Sequence, residues 1–216
     1  MSAKGYYYDV NELSDPRLFA RAMDLLPFKE RREKINRFRF DKDKRLSLGA
    51  GMLVSCALGQ AGIRHPDIVT ADLGKPELAD HPNVHFNISH SGSLAVCVIS
   101  ESPVGVDVEF IRNVDWRLAR RCFREDELIW LEKAPDTDYA FTQLWTRKES
   151  YLKLLGTGLS REMNSFSVFS PSSLEEGAVF TEQEAGRHLI NVCTPGPLPV
   201  EFIQVNTSFI FHLMHQ

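Results

Sequence analysis

The sequence predicts an α+β fold, on three observations. The stretch Pro103 to Phe110 alternates valines with small and acidic residues, as a half-buried strand does. Two stretches, from Asp41 to about Leu58 and from Asp138 to Leu155, carry apolar residues at helical spacing. Beyond them, short alternating or apolar runs are divided by Gly, Pro and Ser turns, which marks the C-terminal part as mixed.

Composition sets the bounds. The chain has 216 residues, 43% hydrophobic and 25% charged, enough for one large domain or two small ones. A formal charge of −4 and a pI near 6.0 give no global reason to expect nucleic acid or an anionic membrane as partner. Cys56, Cys97, Cys122 and Cys193 form no C-x-x-C pair, which argues against a zinc knuckle or a redox dithiol and for reduced thiols. With no basic, apolar leader and no apolar run approaching the roughly 20 residues that span a bilayer, a cytoplasmic protein is expected.

In chain order, Tyr6 to Val10 reads as a short strand. Ser14-Asp15-Pro16 opens a helix that carries Leu18, Phe19, Ala22, Met23, Leu25 and Leu26 on its apolar side and ends at Pro27. From Lys29 to Arg45, nine basic side chains face four acidic ones. A solvated helical face explains such a patch, phosphate capture is the sharper reading, and nucleic acid finds little aromatic interleaving beyond Phe38 and Phe40. Asp41 is a candidate N-cap for the next helix, with Leu46, Leu53, Val54, Ala57 and Leu58 on its apolar surface. Gly49 and Gly51 inside it point to close packing or ligand approach, since each costs about 1 kcal/mol against alanine. Ile68 to Ala71 is a short strand, and Leu73-Gly74-Lys75-Pro76 is turn chemistry.

Val84 to Ile88 reads as a strand running into Ser89-His90-Ser91-Gly92, and Leu94 to Ile99 as the next one. By itself the tetrapeptide is a polar hairpin turn; the alternative is an anion-contacting turn that supplies donors without bulk. In the strand from Pro103, Val104, Val106 and Val108 share a face that belongs in a core, and Gly105, Asp107 and Glu109 share the other. Residues two apart lie about 6.7 Å along a strand, so both carboxylates can flank one small cation, with Gly105 leaving room for something bulky; a merely acidic exposed face is the alternative. Asn113 or Asp115 caps a helix from Trp116 to about Cys122 that bears Arg117, Arg120 and Arg121. In the helix from Asp138 to Leu155, Trp145, Glu149 and Lys153 form one stripe. A simple Glu–Lys pair would look the same, yet a stripe headed by tryptophan is partly buried, and a buried carboxylate needs a cation. Gly156 and Gly158 stop this helix. Phe166 to Phe169, Gly177 to Thr181, His188 to Val192, Val200 to Val205 and Phe209 to Leu213 read as strands.

Three segments together carry a resemblance: Phe86-Asn87-Ile88-Ser89-His90-Ser91, Gly105-Val106-Asp107-Val108-Glu109 and Trp145-Thr146-Arg147-Lys148-Glu149-Ser150-Tyr151-Leu152-Lys153. In this order they resemble the motifs of the 4′-phosphopantetheinyl transferases, of the Sfp (surfactin-synthetase-activating) type, with Gly74-Lys75-Pro76 and the basic stretch ending at Arg45 upstream. The resemblance covers roughly residues 25 to 170. It implies two similar α/β subdomains related by a pseudo-two-fold, placed at 1–102 and 103–216, with coenzyme A in the cleft between them and a monomeric chain. It also implies holo-[acyl-carrier-protein] synthase activity: transfer of phosphopantetheine from coenzyme A to a serine of an apo acyl, peptidyl or aryl carrier protein, leaving 3′,5′-ADP.

By the same resemblance, Asp107, Glu109 and Glu149 hold Mg²⁺, or Mn²⁺ in its place. Lys153 contacts the pyrophosphate, and Ser89 and His90 hold phosphate oxygens. Arg31, Lys34, Arg45, Lys75 and Pro76 form the 3′-phosphate and adenosine side, and Glu149 is the first choice of base. Carrier proteins are usually acidic, which nominates Arg117, Arg120 and Arg121 for docking. Two rivals remain, a Mg²⁺-dependent phosphohydrolase using the same carboxylates and a nucleic-acid-binding module using the basic segment; neither explains three motifs in order.

Overall fold

In the computed structural model, which describes residues 2–214 apart from 72, 159–160, 171–173 and 175–176, the chain begins with β1 (Ala3–Asp9). A single 3₁₀ turn leads into α1 (Pro16–Leu25), whose N-cap is Asp15 with Pro16 behind it. The basic segment folds as α2 (Lys29–Arg37), followed by the long α3 (Asp41–Gln60). Asp41 is not the N-cap expected for α3: Phe40 holds that position without a side-chain cap, and Asp41 and Asp43 stand in the first turn, where the positive end of the helix dipole favours acids. Gly49 and Gly51 are packing sites, since a Cβ would meet Val10 Cγ1 at 2.5 Å and the Arg31 stem at 2.6 Å respectively.

Short strands β2 (Ile68–Thr70) and β3 (Pro76–Leu78) pair with each other. Then come β4 (His85–Ser91), β5 (Leu94–Ser100) and β6 (Gly105–Phe110). Helices α4 (Trp116–Cys122), α5 (Glu125–Glu132) and α6 (Thr137–Leu155) follow. Asp115 caps α4 and Asp136 caps α6, while Asp138 accepts the amide of Val114. Gly156 ends α6 at φ +69°, the left-handed conformation that glycine adopts freely.

The C-terminal part holds β7 (Val179–Ala185), β8 (His188–Thr194), β9 (Val200–Gln204) and α7 (Thr207–Met214). Two expected strands are absent. Residues 166–169 form an extended residue and a turn, because neighbouring side chains take their backbone groups: Lys148 Nζ donates to Phe166 O, and Val168 N donates to Glu127 Oε1. Phe209 to Leu213 is helical, with Asn206 Oδ1 accepting from Phe209 N as a cap. A short apolar run carries no period that separates strand from helix, so the cap decides.

Among the described residues three sheets result: a four-stranded one in the order β4-β5-β1-β9, the pair β2-β3, and a three-stranded one in the order β6-β8-β7. All neighbours are antiparallel except β1 and β9, which run parallel, so the chain returns to the first sheet near its end. Helix α3 packs on one face of the four-stranded sheet over a core that includes Tyr6, Tyr8, Met52, Leu53, Cys56 and Cys97, joined by Ile210 and Phe211 of α7. Helix α6 packs on one face of the three-stranded sheet. The opposite faces of the two sheets share a third core in which Leu94, Val96 and Val98 meet Val104, Val106, Val108, Ile190 and Val192. The valine face of β6 therefore lies where its alternation placed it, and covering on both faces explains why β5 and β8 are buried along their whole length.

Candidate active site

The site forms where β4, at one edge of the four-stranded sheet, runs beside β6, at one edge of the three-stranded sheet. No backbone ladder joins these strands; side chains of β4 do. Asn87, Ser89 and Ser91 alternate onto one face. Asn87 Oδ1 accepts from Val106 N (2.9 Å), Ser89 Oγ donates to Asp107 Oδ1 (2.8 Å), and Ser91 Oγ donates to Glu109 Oε2 (2.5 Å) while accepting from Phe110 N (3.3 Å). Of these, Asn87 and Ser91 were not among the expected site residues. The signal for them was present in the polar triplet at every second position of β4, facing a strand whose acids also fall at every second position.

Gly105 sets the third element in place. A Cβ there would lie 2.0 Å from Ser150 O and 2.3 Å from Leu154 N, so only glycine lets the backbone of α6 rest on β6. The bulk that Gly105 admits is thus a helix rather than a ligand. Seated this closely, α6 brings Lys153 Nζ to 2.7 Å from Asp107 Oδ1 and 3.0 Å from Ser89 Oγ. Trp145, at the head of the stripe, is half-buried and stacks on Phe141 with ring centroids 6.2 Å apart.

The electrostatics follow from three carboxylates in a partly desolvated place. Burial holds the Glu149 pKa above the ordinary carboxylate value, and the charge of Asp107 raises it further; Lys153 opposes both. Burial also raises Glu109, against the Ser91 hydrogen bond and with a contribution from Asp107. Among the described residues, no three His, Cys, Asp or Glu side chains stand ready-gathered around one point. The donor set nevertheless fits a hard divalent cation. Asp107 Oδ2 is buried with no hydrogen-bond partner among the described residues, and all three side chains offer oxygen.

Three of the expected substrate-binding residues, Arg31, Lys34 and Pro76, line a neighbouring region. They share a cleft of about 550 Å³ with Lys29, the acids Glu30 and Asp67, and the apolar Phe86 and Ile88. Arg31 lies along α3, donates to Ser47 O (3.2 Å) and has its pKa lowered by burial. His90 stays exposed but stands among protein groups. Desolvation by those groups lowers its pKa first, and the charges of Lys153, Arg31 and Lys34 lower it further. Arg45, in the first turns of α3, keeps a buried Nε without a hydrogen-bond partner among the described residues. Lys75 differs from the rest: its ammonium donates to Val104 O (3.3 Å) and Leu154 O (3.1 Å).

Comparison with known proteins gives the same direction over nearly the whole chain. Residues 103–199 match the 4′-phosphopantetheinyl transferase superfamily, and residues 14–102 match the pattern described as 4′-phosphopantetheinyl transferase, N-terminal. The chain is 39% identical over 145 residues to the 4′-phosphopantetheinyl transferase Sfp of Bacillus subtilis, covering 64% of each protein. It is 30% identical over 202 residues to psf-1 of Bacillus pumilus, covering 82% of this chain and 83% of that protein, and 35% identical over 140 residues to HetI of Nostoc, covering 59% of each. The matched part thus spans 64% of the length of the first of these relatives.

Proposed function

Because this chain belongs to the 4′-phosphopantetheinyl transferase superfamily, we propose that it transfers the 4′-phosphopantetheine group of coenzyme A to a serine of an apo carrier protein. The observation that supports this most is the meeting of Ser89, Asp107 and Lys153, with Glu109 and Glu149 near enough to feel the charge of Asp107, at strand β4, which also lines the cleft. A phosphoryl donor with a second phosphate at its far end needs those two sites adjacent.

In this reading Asp107, Glu109 and Glu149 hold Mg²⁺ or Mn²⁺, and the bound ion neutralises charge on the pyrophosphate. Lys153, whose ammonium donates to Asp107 and Ser89, would contact the same pyrophosphate and stabilise the negative charge left on the departing 3′,5′-ADP. Ser89 and His90 hold phosphate oxygens. Arg31, Lys34 and Arg45 give the charge for the 3′-phosphate, and Pro76 gives the adenosine an apolar wall. The carrier serine oxygen forms the new bond to phosphorus as the pyrophosphate P–O bond breaks, and its proton passes to Glu149.

The partners follow: coenzyme A and an apo acyl, peptidyl or aryl carrier, with the monomer as working unit. All four cysteines are free, as in a reducing cytoplasm, and among the described residues no helix is long and apolar enough to cross a membrane. A phosphohydrolase would use the same carboxylates with water. The test is release of 3′,5′-ADP from coenzyme A with and without an apo carrier. Carrier-dependent release supports transfer; equal release without carrier contradicts it.

A further inference from the structure

Lys75 lies in the first half of the chain, yet both acceptors of its ammonium lie in the second. Val104 O precedes Gly105, the first residue of β6, and Leu154 O is next to Lys153 near the end of α6. The last carbonyls of a helix have no partner within it, and a cation is favoured there by both hydrogen bonding and the helix dipole. The turn that presents Lys75 is itself closed, with Gly74 N donating to Ala71 O (2.8 Å) and Ala71 N donating to Lys75 O (2.9 Å). The stem passes beside Gly156, where a Cβ would lie 3.5 Å from Lys75 Cδ. One ammonium thus ties the start of the strand that carries Asp107 and Glu109 to the end of the helix that carries Glu149 and Lys153. The next residue, Pro76, lines the cleft.

We propose that Lys75 is a positioning residue, a strut that fixes α6 against β6 and so sets Lys153 and Glu149 against Asp107, rather than a ligand of a substrate phosphate. Its loop connects the cleft wall at Pro76 with the reacting end of the site. The catalytic part of this inference rests on the transfer reaction proposed above; the strut itself does not.

Two measurements separate the strut from a phosphate ligand. In Lys75→Met, which keeps the stem and removes the ammonium, the strut predicts a kcat lower by about tenfold, since small misplacements of reacting groups cost that much or more. The ratio of KM values for coenzyme A and 3′-dephospho-coenzyme A then stays within about twofold of the native ratio, because no phosphate contact is lost. A native kcat with that ratio collapsing toward one overturns the strut.

The second measurement uses the unmodified chain and so does not depend on the variant folding. Labelling with an amine-reactive ester is expected to be slow at Lys75 compared with exposed Lys34, and equally slow with and without coenzyme A. Fast labelling at Lys75 that coenzyme A suppresses overturns the proposal. If the native chain neither binds coenzyme A nor modifies a carrier, the transfer reading fails. The strut is then read from amide exchange at residues 153–158, which it predicts to be faster in Lys75→Met by about tenfold or more, and which an idle Lys75 would leave unchanged.

Discussion

Asp107 concentrates the chemistry of the site. One oxygen takes Ser89 and Lys153, and the other is buried without a partner among the described residues. Around it Glu109 and Glu149 are both held above the ordinary carboxylate pKa, mainly by burial. A carboxyl whose pKa is raised in the folded state stabilises the fold below its unfolded pKa, and that contribution is lost as pH rises through the raised value. Without a cation, these two groups therefore cost stability above the usual carboxylate range, which a divalent ion bound to the ionised carboxylates would recover. Melting with and without Mg²⁺ is expected to show a gain in Tm near pH 7 that vanishes near pH 4, about the unfolded carboxylate pKa, and that Asp107→Ala abolishes. Equal gains at both pH values, or an undiminished gain in the variant, would count against the metal site. At this scale the acids and Lys153 were legible through fixed two- and four-residue spacings, whereas Ser89 and His90 were nominated only by the resemblance. It did not display the partners of Lys75, since a turn lysine carries no spacing that reveals which carbonyls it will meet 29 and 79 positions away.

At the scale of elements, the decisive contact is α6 on β6. Alternation and helical spacing made both legible, and the glycine at position 105 signalled a close approach without saying of what. Because the clash partners are backbone atoms of α6, they cannot rotate away. Gly105→Ala should therefore cost about 3 kcal/mol or more and reduce activity beyond its loss of stability, by moving Lys153 off Asp107. Urea unfolding and turnover measure the two, and a variant with native values for both would show that α6 does not depend on that seat. Helix α5 escaped the sequence reading because its apolar residues, Leu128, Ile129, Trp130 and Leu131, are consecutive rather than spaced. Its start is fixed instead by a one-sided cap, in which Glu127 Oε2 accepts from Arg124 N (2.8 Å). Helix α7 was mistaken for a strand for a related reason, since five residues hold too little of either period.

Across the whole molecule, two long-range devices hold the layers that carry the site. The first is the return of β9 to β1 and of α7 to the first core, which no local pattern announces because parallel pairing joins segments nearly 200 residues apart. The second is Lys148, fully buried, which donates to Met163 O and Phe166 O and pairs with the equally buried Glu127 at 2.9 Å. Lys148→Met strands the Glu127 charge and is expected to cost about 3–5 kcal/mol, whereas changing both residues to apolar ones of similar size should recover most of it. Denaturant midpoints decide this, and a single variant as stable as the double would contradict it. On the outer surface, Arg117, Arg120 and Arg121 are exposed on α4 and proposed to meet an acidic carrier. Reversing all three charges should raise KM for the carrier about tenfold and leave KM for coenzyme A alone; an unchanged carrier KM would remove that assignment. The central claim meets its most direct test in the intact mass of an apo carrier protein incubated with this protein, coenzyme A and Mg²⁺. A gain of one phosphopantetheine group on the carrier serine is expected, lost with EDTA or with Lys153→Ala. A carrier of unchanged mass, across acyl and peptidyl types, would contradict it.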